Sequence, residues 1–466
     1  MKLKRWLAMG LVAASGTALS VAAEDSTASI ESLKNQIQEL DQKLRILERK
    51  QELEKEASEE RSKNAAVVSA GPTGFSIRSA DTNFVLRLRG GLQADARYYD
   101  GGGAANDTFL IRRARPIFEG TVFKNFDYRV MLDFSTGTSS SAANNGFLLD
   151  AYADAHAYPW LNFRVGKFKE PVGLERLQSW NNLLFLERGY PTQLVPNRDV
   201  GAMVHGDLWA GGLQYQVGAF NGTADGGSGD FDTADGDKDV AARLFAHPFK
   251  SVDADWIRGL GMGISGTFGE HGEAPRGYLS PGAQRFFAYR AGTGAAPNVV
   301  ADGQVWRVSP QAYYYWGPFG VFAEYVISSQ ELLQDGGGPG AGAGDEIQNT
   351  GWEVSASYFL TGEANSFKAV TPKRPVTLAV GGGWGAWELT GRVGALDVDN
   401  DSFPIFADPA VSATEASSWG VGVNWHLNRN VKVQFNYERT DFKGASSNPV
   451  TSQDENVFLS RVQITF

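Results

Sequence analysis

The chain has 466 residues, no cysteine, 55 glycines, 12% aromatic residues and a formal net charge of −10. The missing thiols exclude a disulfide frame and thiolate chemistry, and no apolar run beyond the N-terminus is long enough for a membrane helix. A mean hydropathy of −0.27 leaves a membrane β-barrel open, because strand alternation hides lipid-facing residues from any average.

Residues 1–23, MKLKRWLAMGLVAASGTALSVAA, join a basic start (Lys2, Lys4, Arg5) to an apolar centre and small residues before Glu24, the pattern of a secretory signal peptide. Removing its three positive charges from −10 leaves −13. In residues 24–64, Ile30, Leu33, Ile37, Leu40, Leu44 and Leu47 alternate spacings of three and four among charged residues. These are heptad a and d positions, which predict a short periplasmic coiled coil and self-association. Residues 65–82 read as a linker.

From residue 83 to 466 the pattern has period two. FVLRLRGGLQADARYY sets Arg87, Arg89, Gln93, Asp95 and Arg97 against Leu86, Leu88, Leu92, Ala94 and Ala96. IRRARPIFEGTVF groups Arg113, Arg115 and Glu119. FDYRVMLDF groups Asp127, Arg129 and Asp133. LLDAYADAHAY groups Asp150, Asp154 and His156, and LNFRVGKF turns Arg164 inward. Further candidates lie near 200–209, 212–221, 239–249, 259–269, 304–316, 319–329, 350–360, 384–398, 418–427, 430–440 and 456–466, which makes sixteen strands. Tight connections alternate with long Gly-rich ones, and Tyr98, Tyr158, Trp160, Trp209, Trp316 and Trp425 fall near strand ends, as short periplasmic turns, outer loops and aromatic girdles require. The chain stops on Phe466, in register on the apolar face of its last strand. Pairing of that strand with the first removes both edges. The fold expected is all-β: a sixteen-stranded antiparallel transmembrane β-barrel behind a short N-terminal coiled-coil helix. Alternation alone also fits a soluble β protein with its apolar faces inside.

The segment Arg164 to Gly206 resembles the phosphate-selective porin O and P family, through Gly166, Phe168, Lys169 and Pro171, then Asn182, Phe185, Glu187 and Arg188, then Arg198, Asp199 and Gly201. TGE at 361–363 and GAWELTGRVGALDVD at 385–399 resemble family segments too. The resemblance implies a trimeric outer-membrane porin of a Gram-negative bacterium, with a loop at about 170–199 folded inward to narrow the pore. Trp180, Glu187, Arg188 and Arg198 would then lie at the constriction.

Arginines on lumen-facing positions are the strongest chemical feature. Arg87, Arg89, Arg113, Arg115, Arg129 and Arg164 come from neighbouring strands, and Arg243, Arg307, Arg392 and Arg461 point inward by alternation. Forked guanidinium donors suit phosphate oxygens, and a series of weak sites suits conduction. With Lys169, Arg188 and Arg198, and without Arg461, they are the expected pore-lining and anion-binding residues. The expected partners are small anions, phosphate among them, outer-membrane lipid and two further copies of the chain. No cofactor, metal site, phosphate loop or nucleic-acid signature is legible. Two rival readings stand beside this one. Lumen acids (Asp95, Glu119, Asp127, Asp133, Asp150, Asp154, Glu324, Glu388) can pair with the arginines and leave a general porin. Asp154 with His156, or His205 with Asp207, can belong to a barrel hydrolase, although no nucleophile motif accompanies them.

Overall fold

The structure, a computed structural model, describes residues 22–100, 106–135, 148–231, 236–292, 298–336, 340–377, 382–445, 447–448 and 452–466. The expected signal peptide lies outside them, apart from residues 22 and 23 at a helix start. Helix α1 (Ala22–Asn64) forms one unit, and Ile30, Leu33, Ile37, Leu40, Leu44 and Leu47 are all exposed on it. Its charged residues pair along the helix at i,i+4, as Lys43 does with Glu39 at 2.7 Å and Arg45 with Asp41 at 3.0 Å.

The second unit is built on one large sheet. Strands β1 (Val67–Gly71) and β2 (Gly74–Arg78) form a hairpin. There follow β3 (Val85–Asp100), β4 (Thr108–Val122), β5 (Phe126–Leu132), β6 (Leu148–Tyr158), β7 (Leu161–Lys169), β8 (Arg198–Leu208), β9 (Leu213–Phe220), β10 (Asp239–Ala246) and β11 (Leu260–His271). A small pair, β12 (Tyr278–Leu279) and β13 (Arg285–Phe287), lies in a loop. The sheet resumes with β14 (Val299–Trp316), β15 (Phe319–Gln334), β16 (Gly344–Phe359), β17 (Ala386–Asp397), β18 (Ala413–His426), β19 (Val431–Gly444) and β20 (Glu455–Thr465). Each strand from β3 on, β12 and β13 apart, pairs antiparallel with its neighbours in the sequence. β20 returns to β3, from Asn456↔Asp100 to Thr465↔Gly91. Sixteen strands therefore close into a barrel.

The barrel's polarity is inverted relative to a soluble protein. Leu92, Val165, Leu244, Ile264, Leu389, Val421, Phe435 and Val462 are exposed on the outside, whereas Gln93, Asp95, Arg113, Ser309, Glu324, Asn424 and Gln434 are buried inside. Only a surrounding hydrocarbon makes that arrangement favourable, so the soluble reading fails. Short turns gather at one end. Gly317–Pro318 joins β14 to β15, with Gly317 at φ +52, a conformation L side chains avoid.

Two segments differ from expectation. Residues 65–82 are not merely a linker: β2 pairs with the foot of β3, from Phe75↔Leu88 to Arg78↔Val85, because FSIR alternates like the strand it joins. The connection from Leu360 to Gly385 is long although it lies at the short-turn end. It reaches into the lumen, where the Phe367 ring stacks on Tyr313 at 5.3 Å and its carbonyl accepts from Gln178 Nε2 at 3.1 Å. At the other end, the aromatic side chains of Tyr278, Phe286, Phe287 and Phe406 are fully buried, so the long loops carry a core of their own.

Candidate functional site: a cationic constriction

The segment between β7 and β8, residues 170–197, crosses the lumen. Gly173, at φ +79, starts a single helical turn, α2 (Leu174–Leu177). The free N–H groups of Leu174 and Glu175 donate to Glu324 Oε1 at 2.7 Å and Oε2 at 3.1 Å. Beyond α2 the loop is irregular up to a single 3-10 turn at Tyr190–Gln193, so the backbone groups between the two turns need partners from elsewhere. The wall supplies them in chain order. Gln463 donates to the Asn181 carbonyl at 3.0 Å and Lys432 to Leu183 at 3.1 Å. Asn424 donates to Leu184 at 3.0 Å, Arg461 to Leu186 at 2.7 Å and Arg392 to Glu187 at 2.9 Å. Asn436 Oδ1 accepts from Leu186 N at 2.9 Å. These side chains come from β17 to β20, so the loop is stitched to one wall.

That stitching divides the lumen. Behind the loop lie Glu324, Glu353, Glu388 and Glu438, all nearly or fully buried. In front, between the loop and the β4–β8 wall, is an open cavity of about 450 Å³. Of the expected residues it is lined by Arg113, Arg115, Lys169, Arg188 and Arg198, with Trp180 beside Arg115. Arg112, Lys167, Arg176, Arg276 and Arg285 line it as well, against the acids Asp133, Glu187 and Asp225.

The cations fall into two groups. Arg112 pairs with Glu187 at 2.6 Å, Arg115 with Asp133 at 2.7 Å, Arg198 with Asp150 at 2.7 Å, and Lys167 pairs with Asp230. Arg113 instead donates to the amide oxygen of Gln93 at 2.6 Å. Lys169 donates to the carbonyls of Arg176 and Gln178, Arg188 to those of Glu175 and Gln178, and Arg176 to that of Thr192. Among the described residues, none of these four has a carboxylate oxygen within ion-pair distance. Each is oriented by a neutral acceptor, so its charge remains uncancelled. Burial and the adjacent Arg198 lower the proton affinity of Arg176 and Arg188, which reflects like-charge crowding in this loop. Burial disfavours the Glu187 anion, but Arg112 and Arg97 outweigh it and hold its carboxyl well below the usual range.

The other expected residues do not line this cavity. Arg87 is exposed at the foot of β3. Arg89 pairs with Glu119 at 2.9 Å, and Arg129 bridges Glu119 at 2.7 Å and Asp150 at 3.1 Å. Arg164 pairs with Asp154 and lies over the Tyr152 ring at 4.4 Å. Arg243 donates to Gln311 at 3.1 Å and lies over Phe245 at 4.5 Å. Arg307 and Arg392 correct the expectation: both point inward yet are sealed off. Arg307 is 1% exposed, paired with Asp225 at 2.6 Å, and covered by the loop that follows β9. Arg392 is paired with Glu438 at 2.5 Å and stacked on Phe185 of the crossing loop.

Two of the missed residues have local causes. The register steps from Gln93↔Arg113 to Ala94↔Ile111, a bulge that brings Arg112 to the lumen beside Arg113. Gly166, at φ +123, reorients β7 so that Lys167 is buried inside. A glycine within a strand pattern is the signal that could have revealed it.

A closed sixteen-stranded barrel, apolar outside and narrowed inside by a crossing loop, is the architecture of an outer-membrane channel. The profile of the phosphate-selective porin O and P family matches residues 86–250 and 283–466, and the chain belongs to that family. Porin O of Pseudomonas aeruginosa is 26% identical over 430 residues, spanning 86% of this chain and 93% of that protein. The outer membrane channel DcaP of Acinetobacter baumannii superposes with a TM-score of 0.51 at 12% identity, over 84% of this chain and 100% of DcaP. A loop-deletion variant of OmpT of Vibrio cholerae gives 0.50 at 11% identity, over 82% and 100%. These likenesses concern the fold. The protein is a porin of the Gram-negative outer membrane, a channel and not an enzyme.

Proposed function

We propose that the pore passes small anions, phosphate and related oxyanions among them, through the cationic constriction. The observation that carries this reading is the wall of the cavity, where ten Arg and Lys side chains face three acids. Arg113, Lys169, Arg176 and Arg188 keep their charges free of carboxylates, and guanidinium forks match oxyanion geometry. Conduction through several weak stations accords with charges spread over strand, loop and vestibule. The general-porin alternative has its own support in the paired arginines Arg89, Arg129 and Arg164, which brace the wall.

The working unit on this reading is a trimer, held in part by the heptad face of α1 on the periplasmic side. Planar-bilayer recording tests the function. Reversal potentials across a potassium chloride gradient should show anion preference, and added phosphate should block chloride current. A cation-selective wild-type pore would overturn the reading.

A further inference from the structure

We infer that Gln93 is a positioning residue that sets selectivity: a neutral acceptor that fixes Arg113 toward the cavity while leaving its charge intact. This rests on the anion-conduit reading above. Lys432, Gln463, Gln93 and Arg113 are direct cross-strand partners on β19, β20, β3 and β4, a single row across the closing seam. Gln93 is completely buried. Its Nε2 donates to Gln463 Oε1 at 2.6 Å and, at 3.5 Å, to the Trp180 carbonyl. Gln463 in turn donates to the Asn181 carbonyl. With both donor contacts on one side, the amide has a single orientation, and its Oε1 faces the Arg113 guanidinium at 2.6 Å. A flipped amide would set donor against donor.

The residue type matters as much as the geometry. Three arginines of the adjoining β4 and β8 wall are oriented by carboxylates: Arg112 by Glu187, Arg115 by Asp133 and Arg198 by Asp150. Arg113 alone in this group is oriented by an amide. Its Nε–H is buried with no partner among the described residues. Because Gln463 belongs to the last strand, closure of the barrel is what completes the arrangement.

The test uses the full-length porin in planar bilayers, with potassium chloride gradients and inorganic phosphate as probe. Gln93→Glu keeps the shape and puts a carboxylate on Arg113. The expected result is a several-fold fall in the anion-to-cation permeability ratio, toward that of Arg113→Gln. The loss should reverse as pH is lowered enough to neutralise the new carboxyl, relative to wild type at the same pH, which a merely structural role would not produce. Gln93→Met removes the acceptor but leaves the charge. Its permeability ratio should stay near wild type, while the phosphate concentration for half-block rises several-fold. If Arg113→Gln lowers selectivity but both Gln93 variants behave as wild type, the inference fails and the anion reading stands. If Arg113→Gln changes nothing, the anion reading fails at this station and takes the inference with it. Should Gln93→Glu not assemble, the phosphate block of Gln93→Met decides: an unchanged block overturns the proposal.

Discussion

Arg461 on the last strand and Asp95 on the first barrel strand face each other across the seam, with Nε 2.6 Å and Nη2 2.7 Å from the two carboxylate oxygens and neither side chain exposed. Arg461 Nη1 also holds the Leu186 carbonyl at 2.7 Å, so one side chain ties barrel closure to the crossing loop. Removing one member of a buried pair strands the other. Arg461→Met should cost on the order of 3–5 kcal/mol. The temperature at which the folded band is lost on electrophoresis should fall. Arg461→Met combined with Asp95→Asn should recover part of the loss. A double variant no more stable than the single would refute the pairing energetics.

Arg307 and Arg113 should separate stability from selectivity. Arg307 is sealed against Asp225, Thr223 and Thr267 and does not itself line the conduit. Arg307→Gln combined with Asp225→Asn, which removes the pair together, should lower heat stability and change reversal potentials far less than Arg113→Gln does. Arg113→Gln should shift reversal potentials toward cations with the smaller loss of heat stability. The shift seen with Arg113→Gln should shrink in high salt, since the Debye length falls from about 10 Å at 0.1 M to about 3 Å at 1 M. Equal effects of the double variant and of Arg113→Gln on reversal potential would contradict the division of the lumen.

Glu170, the first residue of the crossing loop, gives a pH dependence. Its side chain is completely buried, and among the described residues both carboxyl oxygens lack a hydrogen-bond partner. Burial, then Asp239 and Asp199, push its pKa well above the ordinary carboxyl value, against the pull of Arg307 and His271. The native state therefore keeps a proton that the unfolded chain releases. Stability from this group is present below the ordinary carboxylate range and lost as pH rises toward the raised folded pKa. Glu170→Gln copies the protonated form and removes that slope. The variant should gain on wild type in thermal stability between pH 5 and pH 8. Parallel curves would exclude a protonated Glu170.

The apolar face of α1 should act on assembly alone. Ile37 is 61% and Leu40 64% exposed on the isolated helix, an arrangement that favours partner helices. Ile37→Asp with Leu40→Asp should lower the melting temperature of a trimer band while the released monomer keeps its barrel mobility. A trimer band with wild-type melting would show that the helix does not hold the subunits.

Strand number and orientation were legible because period two survives along nearly every strand. Parity places Arg113, Arg307 and Arg392 correctly inside. It does not say which inward residues meet the permeant ion, because that is decided by where the irregular loops lie. Arg392 and Arg113 share a parity, but only Arg392 is roofed by Phe185. Arg112 escaped because a bulge adds one residue to β4, and no count of alternation registers that. Arg276 and Arg285 sit in a loop whose path depends on burying Tyr278 and Phe287, a tertiary event with no local period.

The N-terminal hairpin bears on how the barrel comes to close. β3 precedes every other barrel strand in the chain, yet β2 already occupies the foot of its free edge through Phe75↔Leu88. Contacts so near in sequence form early. The last strand arrives at an edge whose lower part is taken. It ends where the main chains of Phe466 and Gly90 exchange two 3.0 Å hydrogen bonds and the Phe466 ring meets Phe75. A slip of one residue would invert every side chain of β20 between lumen and lipid. With the foot of β3 occupied by the hairpin, the last strand is left one register in which its final residue abuts Phe75 and Gly90 and its lumen face stays inside.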